Sequence, residues 1–176
     1  MKHFFKLTIL ASLVTALIFG LSAFTSPKKV RSSTDSYQIN LISKASDAGL
    51  ETWTWSLVNP NPGNGLNGTL QNVSHFDIAL SAAAESALIS AEYSFDGITW
   101  VSIPTEIVRD PSIRQCTTTD VLKFNAGTVD GQPTYYRATF NQEFDSNPYA
   151  TSWINSGSRT GCNMYYFTGV GVPKLF

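Results

Sequence analysis

The chain has 176 residues, of which 43% are hydrophobic and only 14% are charged. This composition excludes an intrinsically disordered protein, and the length fits one domain behind an N-terminal segment. All thirteen acidic residues lie at or after Asp35, whereas only seven of the twelve basic residues do. Because binding to nucleic acid depends on Lys and Arg side chains that displace counterions, the negative folded part argues against a nucleic-acid partner.

The first 26 residues have the pattern of an export signal. Lys2 and Lys6 precede an apolar run over residues 7–24 that ends in small residues. An uncleaved membrane anchor is the alternative, since a run of about 18 apolar residues can span a bilayer. We predict a cleaved signal peptide over residues 1–26, a flexible basic linker over 27–36 and a single domain over 37–176. The mature protein is then expected to be extracellular, on the cell surface or periplasmic, with no membrane contact.

Short segments with alternating apolar and polar residues follow one another along the domain. Such alternation is typical of β-strands with one buried face. In residues 50–58, for example, it places Trp53, Trp55 and Leu57 on the side predicted to be buried. Residues 81–87 are the one segment that suits a helix, and they span barely two turns. We predict strands at residues 37–43, 50–58, 75–80, 88–95, 98–104, 120–125, 134–140, 149–154 and 162–167.

Eight or nine short strands with almost no helix predict an all-β protein. The spacing of about a dozen residues favours an antiparallel β-sandwich, of immunoglobulin-like or jelly-roll-like type, over a barrel. Cys116 and Cys162 form an even pair in an exported chain, so we predict one disulfide. A catalytic thiol is the alternative for either cysteine.

Residues 59–72 form the most loop-like stretch, with three Gly, two Pro and five Asn. A loop of this length is either a functional element or mobile. Asn67 and Asn72 each begin a glycosylation sequon, whose use depends on the host. The alternative is that Asn, Gly and Thr serve here only as turn residues.

Few residues have the pattern of a catalytic or metal site. His75 and Asp77 share one face of a predicted strand, which would suit an acid–base pair or half of a metal site. Nothing close in sequence completes either, and the nucleophile, zinc-protease, phosphate-loop and dinucleotide motifs are absent from the sequence. We therefore expect no enzyme, no catalytic residue, no metal and no cofactor.

The run Y-S-F-D-G-I-T-W over residues 93–100 places Asp96-Gly97 between two strands, which predicts a two-residue type I′ hairpin turn. The run resembles a hairpin of secreted immunoglobulin-like, fibronectin type III-like and carbohydrate-binding β-sandwich modules. It also looks like a shortened Asp-box of sialidase-type propellers, but it lacks the residue between Asp and Gly and occurs once. The resemblance implies a fold class and carries no functional residues.

Taken together, these features favour a secreted or surface-displayed, non-enzymatic β-sandwich that acts in adhesion, in a matrix, or in recognition of a glycan or protein surface. Aromatic side chains can stack on sugars, while Asn and Arg bond polar groups. The alternative is a structural subunit that associates with copies of itself by edge-strand addition, donating residues 37–43. The residues predicted to bind are Trp153, Tyr149, Arg159, Asn61 and Asn64. Core packing is the alternative for Trp153, and a solvated turn position is the alternative for Arg159.

Overall fold

The computed structural model describes residues 36–175. The predicted signal peptide and all but the last residue of the predicted linker lie outside these described residues. Two antiparallel five-stranded sheets make up the domain, which confirms the predicted all-β sandwich with one disulfide. Within residues 36–175, no helix is long and apolar enough to cross a membrane.

The described part of the chain contains ten strands. They are β1 (Gln38–Asp47), β2 (Leu50–Val58), β3 (Val73–Ile78), β4 (Leu88–Ser94), β5 (Val101–Ile103), β6 (Ile107–Val108), β7 (Val121–Phe124), β8 (Thr134–Phe140), β9 (Phe144–Ser156) and β10 (Cys162–Pro173). One sheet has the strand order β1-β2-β8-β4-β5 and the other the order β10-β9-β3-β7-β6. A short helix, α1 (Ala82–Ala87), precedes β4, and a 3-10 turn (Pro111–Ile113) follows β6.

Aromatic side chains fill the space between the two sheets. Phe76 of the second sheet lies against Tyr136 of the first, with ring centroids 4.9 Å apart, and Trp55 meets Phe167 edge to face at 5.9 Å. The predicted inward face of β2 is confirmed, because Trp55 is fully buried. Each such side chain contributes roughly 1.5–3 kcal/mol through burial. Edge-to-face contacts add to this and fix how the sheets face each other.

A buried carboxylate ties the start of β2 to the second sheet. Glu51 is fully buried and accepts hydrogen bonds from the Trp53 indole at 2.7 Å and from the Phe144 backbone N–H at 2.9 Å. Lys44 forms an ion pair with Glu51 at 3.2 Å and lies over the Trp53 ring. A buried charge is tolerated when it is paired and hydrogen-bonded in this way.

The β4–β5 connection differs from the predicted two-residue turn. The strands are joined by six residues, 95–100, and Gly97 is the position there with positive φ, at 73°. The Asp96 carboxylate accepts hydrogen bonds from the backbone N–H groups of Ile98 and Thr99 and from the Ser94 hydroxyl. Asp96 therefore organises the loop through its side chain, so the type I′ prediction was wrong. The loop still joins antiparallel strands as predicted.

Two predicted boundaries are also wrong, both in the second sheet. The strands predicted at residues 149–154 and 162–167 are longer in the structure, where β9 begins at Phe144 and β10 continues to Pro173. Pro148 before the predicted start of β9, and the Gly and Pro residues after the predicted end of β10, are typical of coil. At Gly171 a Cβ atom would lie 2.6 Å from the Asp145 carbonyl oxygen, so glycine is required there for the two strands to pair.

We predict that Asp96→Ala lowers the melting temperature, because three hydrogen bonds to one carboxylate are lost. The backbone N–H of Thr99, followed by that of Ile98, holds the pKa of Asp96 below its ordinary value near 3.8. For a depressed pKa, the stabilisation is complete above the ordinary value and is lost as pH falls through the lower, folded value. Thermal melts followed by circular dichroism should therefore show a difference in melting temperature between wild type and variant that is constant from pH 7 to about pH 4 and narrows between about pH 4 and pH 2.

Asp47→Asn, at an exposed position of the β1–β2 hairpin, is the control. Equal melting temperatures for wild type and Asp96→Ala at neutral pH would show that the Asp96 side chain does not organise the loop.

Candidate functional site

Two bulges distort the pairing of β9 and β10 near their ends. Between the Ala150↔Phe167 and Asn147↔Gly169 pairs, β9 has one residue more than β10. Pro148 occupies this bulge, where its missing N–H breaks no ladder bond. Between Val170 and Pro173 the extra residue is on β10. Bulges of this kind re-aim side chains and occur next to binding sites.

A groove of about 480 Å³ lies at these bulges. The size falls within the range of small-ligand sites. Polar groups from Asp145, Ser146 and Asn147 line it beside the apolar side chains of Val170 and Val172. The far wall comes from residues 79–81, between β3 and α1.

Tyr149 stands at this groove with 75% of its surface exposed. Its backbone N–H donates to Asn147 Oδ1 at 2.9 Å, which fixes the bulge from which the ring projects. Two residues further along β9, Thr151 pairs with Tyr166 of β10, so the two tyrosines are diagonal neighbours on one face. Tyr166 is 63% exposed and Met164, next on that face, 49%. We call Tyr149, Tyr166 and Met164 the aromatic face.

The other predicted binding residues lie elsewhere. Trp153 is only 5% exposed, packed with Ile113 and Val121 beneath residues 109–119, so the prediction that it offers a stacking surface needs correction. The sequence places Trp153 between polar segments, and nothing in it indicates that a loop distant along the chain covers this ring.

Arg159, Asn61 and Asn64 come together at one end of the sandwich. Arg159 Nη1 donates to the Asn64 carbonyl oxygen at 3.4 Å. The Asn61 side chain donates to the Gly68 carbonyl at 3.0 Å, and Asn64 Oδ1 accepts from the Leu66 N–H. Both Asn side chains therefore close turns within residues 59–72, as in the alternative of plain turn chemistry.

A second polar cluster lies on the outer face of the same sheet. His75 and Asp77 project from β3, and Lys123, the cross-strand partner of Asp77, projects from β7. Asp110 joins them from the loop before the 3-10 turn: its Oδ2 is 2.9 Å from His75 Nε2 and 2.9 Å from Lys123 Nζ. Asp77 Oδ2 is 3.4 Å from the same His75 nitrogen. Asp110 thus supplies the group that the sequence did not place near His75.

The cluster does not have the geometry of a Ser-His-Asp triad. Ser112 Oγ lies 2.8 Å from His75 Nε2, the nitrogen that both carboxylates also approach. A triad needs the hydroxyl and the carboxylate on opposite ring nitrogens. His75 Nδ1 instead faces Ser74 Oγ at 3.2 Å. Three polar groups thus converge on one ring nitrogen.

Burial sets the protonation of these groups. Desolvation, with the Asp110 charge adding to it, raises the pKa of Asp77 to about 8. Desolvation, followed by the Lys123 charge, lowers the pKa of His75. Burial alone would raise the pKa of Asp110, but hydrogen bonds from Ser112 and Lys123 hold it below its ordinary value. Asp77 is therefore protonated at neutral pH unless further positive charge lies beside it.

Residues 109–119 cover this cluster and are bonded to β10 through the predicted disulfide, Cys116–Cys162. The two half-cystines pack on a small core formed by Ile113, Val121 and Trp153.

Comparison of the chain with protein-family models, with curated proteins and with solved structures finds no match.

We predict that the double variant Cys116→Ser/Cys162→Ser is less stable by about 4 kcal/mol, from the entropy of a loop closed over 46 residues. The loop should also separate more easily from β9, so acrylamide should quench Trp153 more strongly than in the oxidised protein. Denaturant unfolding and tryptophan fluorescence measure the two effects. Trp53 and Trp55, both fully buried between the sheets, should stay shielded. Unchanged quenching would contradict the covering role of the loop.

Proposed function

We propose that the protein is an exported, non-enzymatic recognition module that binds a glycan through the aromatic face and the adjacent groove. The observation that carries the proposal is Tyr149, raised by a β-bulge to 75% exposure at the groove. An exposed aromatic ring in water needs an explanation when it adjoins other exposed apolar side chains. A ligand that stacks on the ring supplies one.

The chemistry of this surface favours a sugar polymer over a flat apolar partner. Tyr149 and Tyr166 are diagonal neighbours across a strand pair, which suits successive residues of an extended chain. Asp145, Ser146 and Asn147 lie beside them with hydrogen-bonding side chains that can reach hydroxyl groups.

The groove also favours binding over hydrolysis. Among the described residues that line the groove, Asp145 has the one carboxyl side chain. Glycoside hydrolysis ordinarily requires two carboxyl groups facing each other across the scissile bond. A single exposed carboxylate can hold a hydroxyl but lacks the second group.

The test uses affinity electrophoresis and calorimetry of the mature oxidised protein with soluble β-glucans, mannans and acidic polysaccharides. Tyr149→Ala and Tyr166→Ala are each expected to weaken binding by about tenfold or more, because an aromatic contact is lost, and tenfold corresponds to about 1.4 kcal/mol. The matched control is Phe95→Ala, an exposed aromatic in the β4–β5 loop of the other sheet. The proposal is rejected if both tyrosine variants bind as tightly as the wild type, or if the wild type binds none of the polysaccharides.

Self-association by edge-strand addition remains the second candidate, in a revised form. The predicted donor segment is already used, because β1 pairs with β2 of its own chain. The candidate edge is instead β10, a 12-residue outer strand that carries the exposed Met164 and Tyr166. Light scattering over a range of protein concentrations separates the candidates. A particle mass that grows with concentration in the wild type but not in Tyr166→Lys favours assembly. A monomer mass that stays constant with concentration excludes assembly.

A further inference from the structure

We infer that His75, Asp77 and Asp110 bind one divalent transition-metal ion beneath residues 109–119. Their ligand atoms, one from each side chain, all lie within 4.8 Å of one another. All three residues are buried. The inference is independent of the glycan proposal, since it concerns different residues and a different ligand.

The distances suit a small metal ion. Asp77 Oδ2 and Asp110 Oδ2 are 3.4 Å and 2.9 Å from His75 Nε2. Ligands that bind zinc at about 2.0–2.2 Å in a tetrahedral arrangement are separated by roughly 3.4 Å. The three atoms can therefore be bridged by one ion with small side-chain adjustments.

An unsatisfied buried carboxyl points to a missing ligand. The Asp77 side chain is fully buried, and neither of its oxygens has a hydrogen-bond partner among the described residues. A buried polar group without a partner is costly and therefore rare. Lys123 forms its ion pair with Asp110, at 2.9 Å, and not with Asp77. A divalent cation would give the two unpartnered Asp77 oxygens a positively charged partner in the buried site.

The surrounding groups orient the three side chains as outer-shell partners do. Ser74 Oγ faces His75 Nδ1, so Nε2 is the nitrogen directed at the carboxylates; a metal ion there would replace the contact of Nε2 with Ser112 Oγ at 2.8 Å. Ser112 donates from its backbone N–H and its hydroxyl to Asp110 Oδ1, so Oδ2 is the oxygen left facing His75. Metal ligands are commonly fixed by such hydrogen bonds.

The donor set selects the class of ion. One imidazole nitrogen and two carboxylate oxygens suit zinc, manganese or cobalt. Calcium prefers six to eight oxygen ligands, and a nitrogen donor with so few oxygens does not provide them. Because two ligands come from β3 and one from the covering loop, the ion would hold residues 109–119 against the sheet.

The experiment starts from the oxidised, exported protein treated with EDTA, to which ZnCl₂, MnCl₂ or CaCl₂ is added separately. Native mass spectrometry should show one bound zinc or manganese ion per chain, with a rise in melting temperature that calcium does not produce. Asp77→Asn keeps the shape of the side chain and should abolish both effects. His75→Gln is the second variant, in case Asp77→Asn alters folding.

Asp120→Asn is the matched control, an exposed carboxylate paired with Arg109 beside the same loop. It should bind the ion like the wild type. The inference is overturned if neither zinc nor manganese binds to the wild type, or if Asp77→Asn and His75→Gln bind as the wild type does. Equal stabilisation by calcium would also overturn it.

Discussion

The close packing of aromatic rings between the two sheets is the constraint on which the rest of the structure depends. Phe76 and Phe124 of the second sheet contact Tyr136 of the first, and Trp55 contacts Phe167. Side chains alternate along a strand, so each inward ring forces its neighbours outward. On β3 this places His75 and Asp77 on the outer face on either side of Phe76. The core thus determines which residues are free to form sites.

The outer face of the second sheet is divided into two parts of different character. The β9–β10 side is open and carries Tyr149, Tyr166 and the groove at the two bulges. The other side is covered by residues 109–119, held by the disulfide, and encloses the polar cluster around His75. Open aromatic rings suit reversible contact with a ligand, whereas buried carboxylates suit a permanently bound ion. The same sheet can therefore support a binding surface and a structural site.

Much of the fold could be predicted because strand alternation and cysteine pairing are local signals. The faces of β2 and the disulfide followed from residues 50–58 and from two cysteines. The boundaries of β9 and β10 could not be predicted, since Pro148 and Gly171 indicate coil unless the bulge and the close strand approach are known. Tyr149 was predicted as a binding residue from its aromatic type in a polar stretch, and it is exposed, whereas the burial of Trp153 depends on a loop some forty residues earlier in the chain. Asp110 was missed for the same reason, because only strand order brings it to His75.

We propose that a ligand binds to the open half of this face. The most direct measurement is a map of backbone amide chemical-shift changes, by NMR of the ¹⁵N-labelled mature protein titrated with the polysaccharides. We expect changes concentrated at residues 145–151 and 164–172, with little change at residues 59–72 or in the β4–β5 loop. Changes centred on residues 59–72 and Arg159 would contradict this proposal. They would place the binding site at the other predicted residues, Asn61, Asn64 and Arg159.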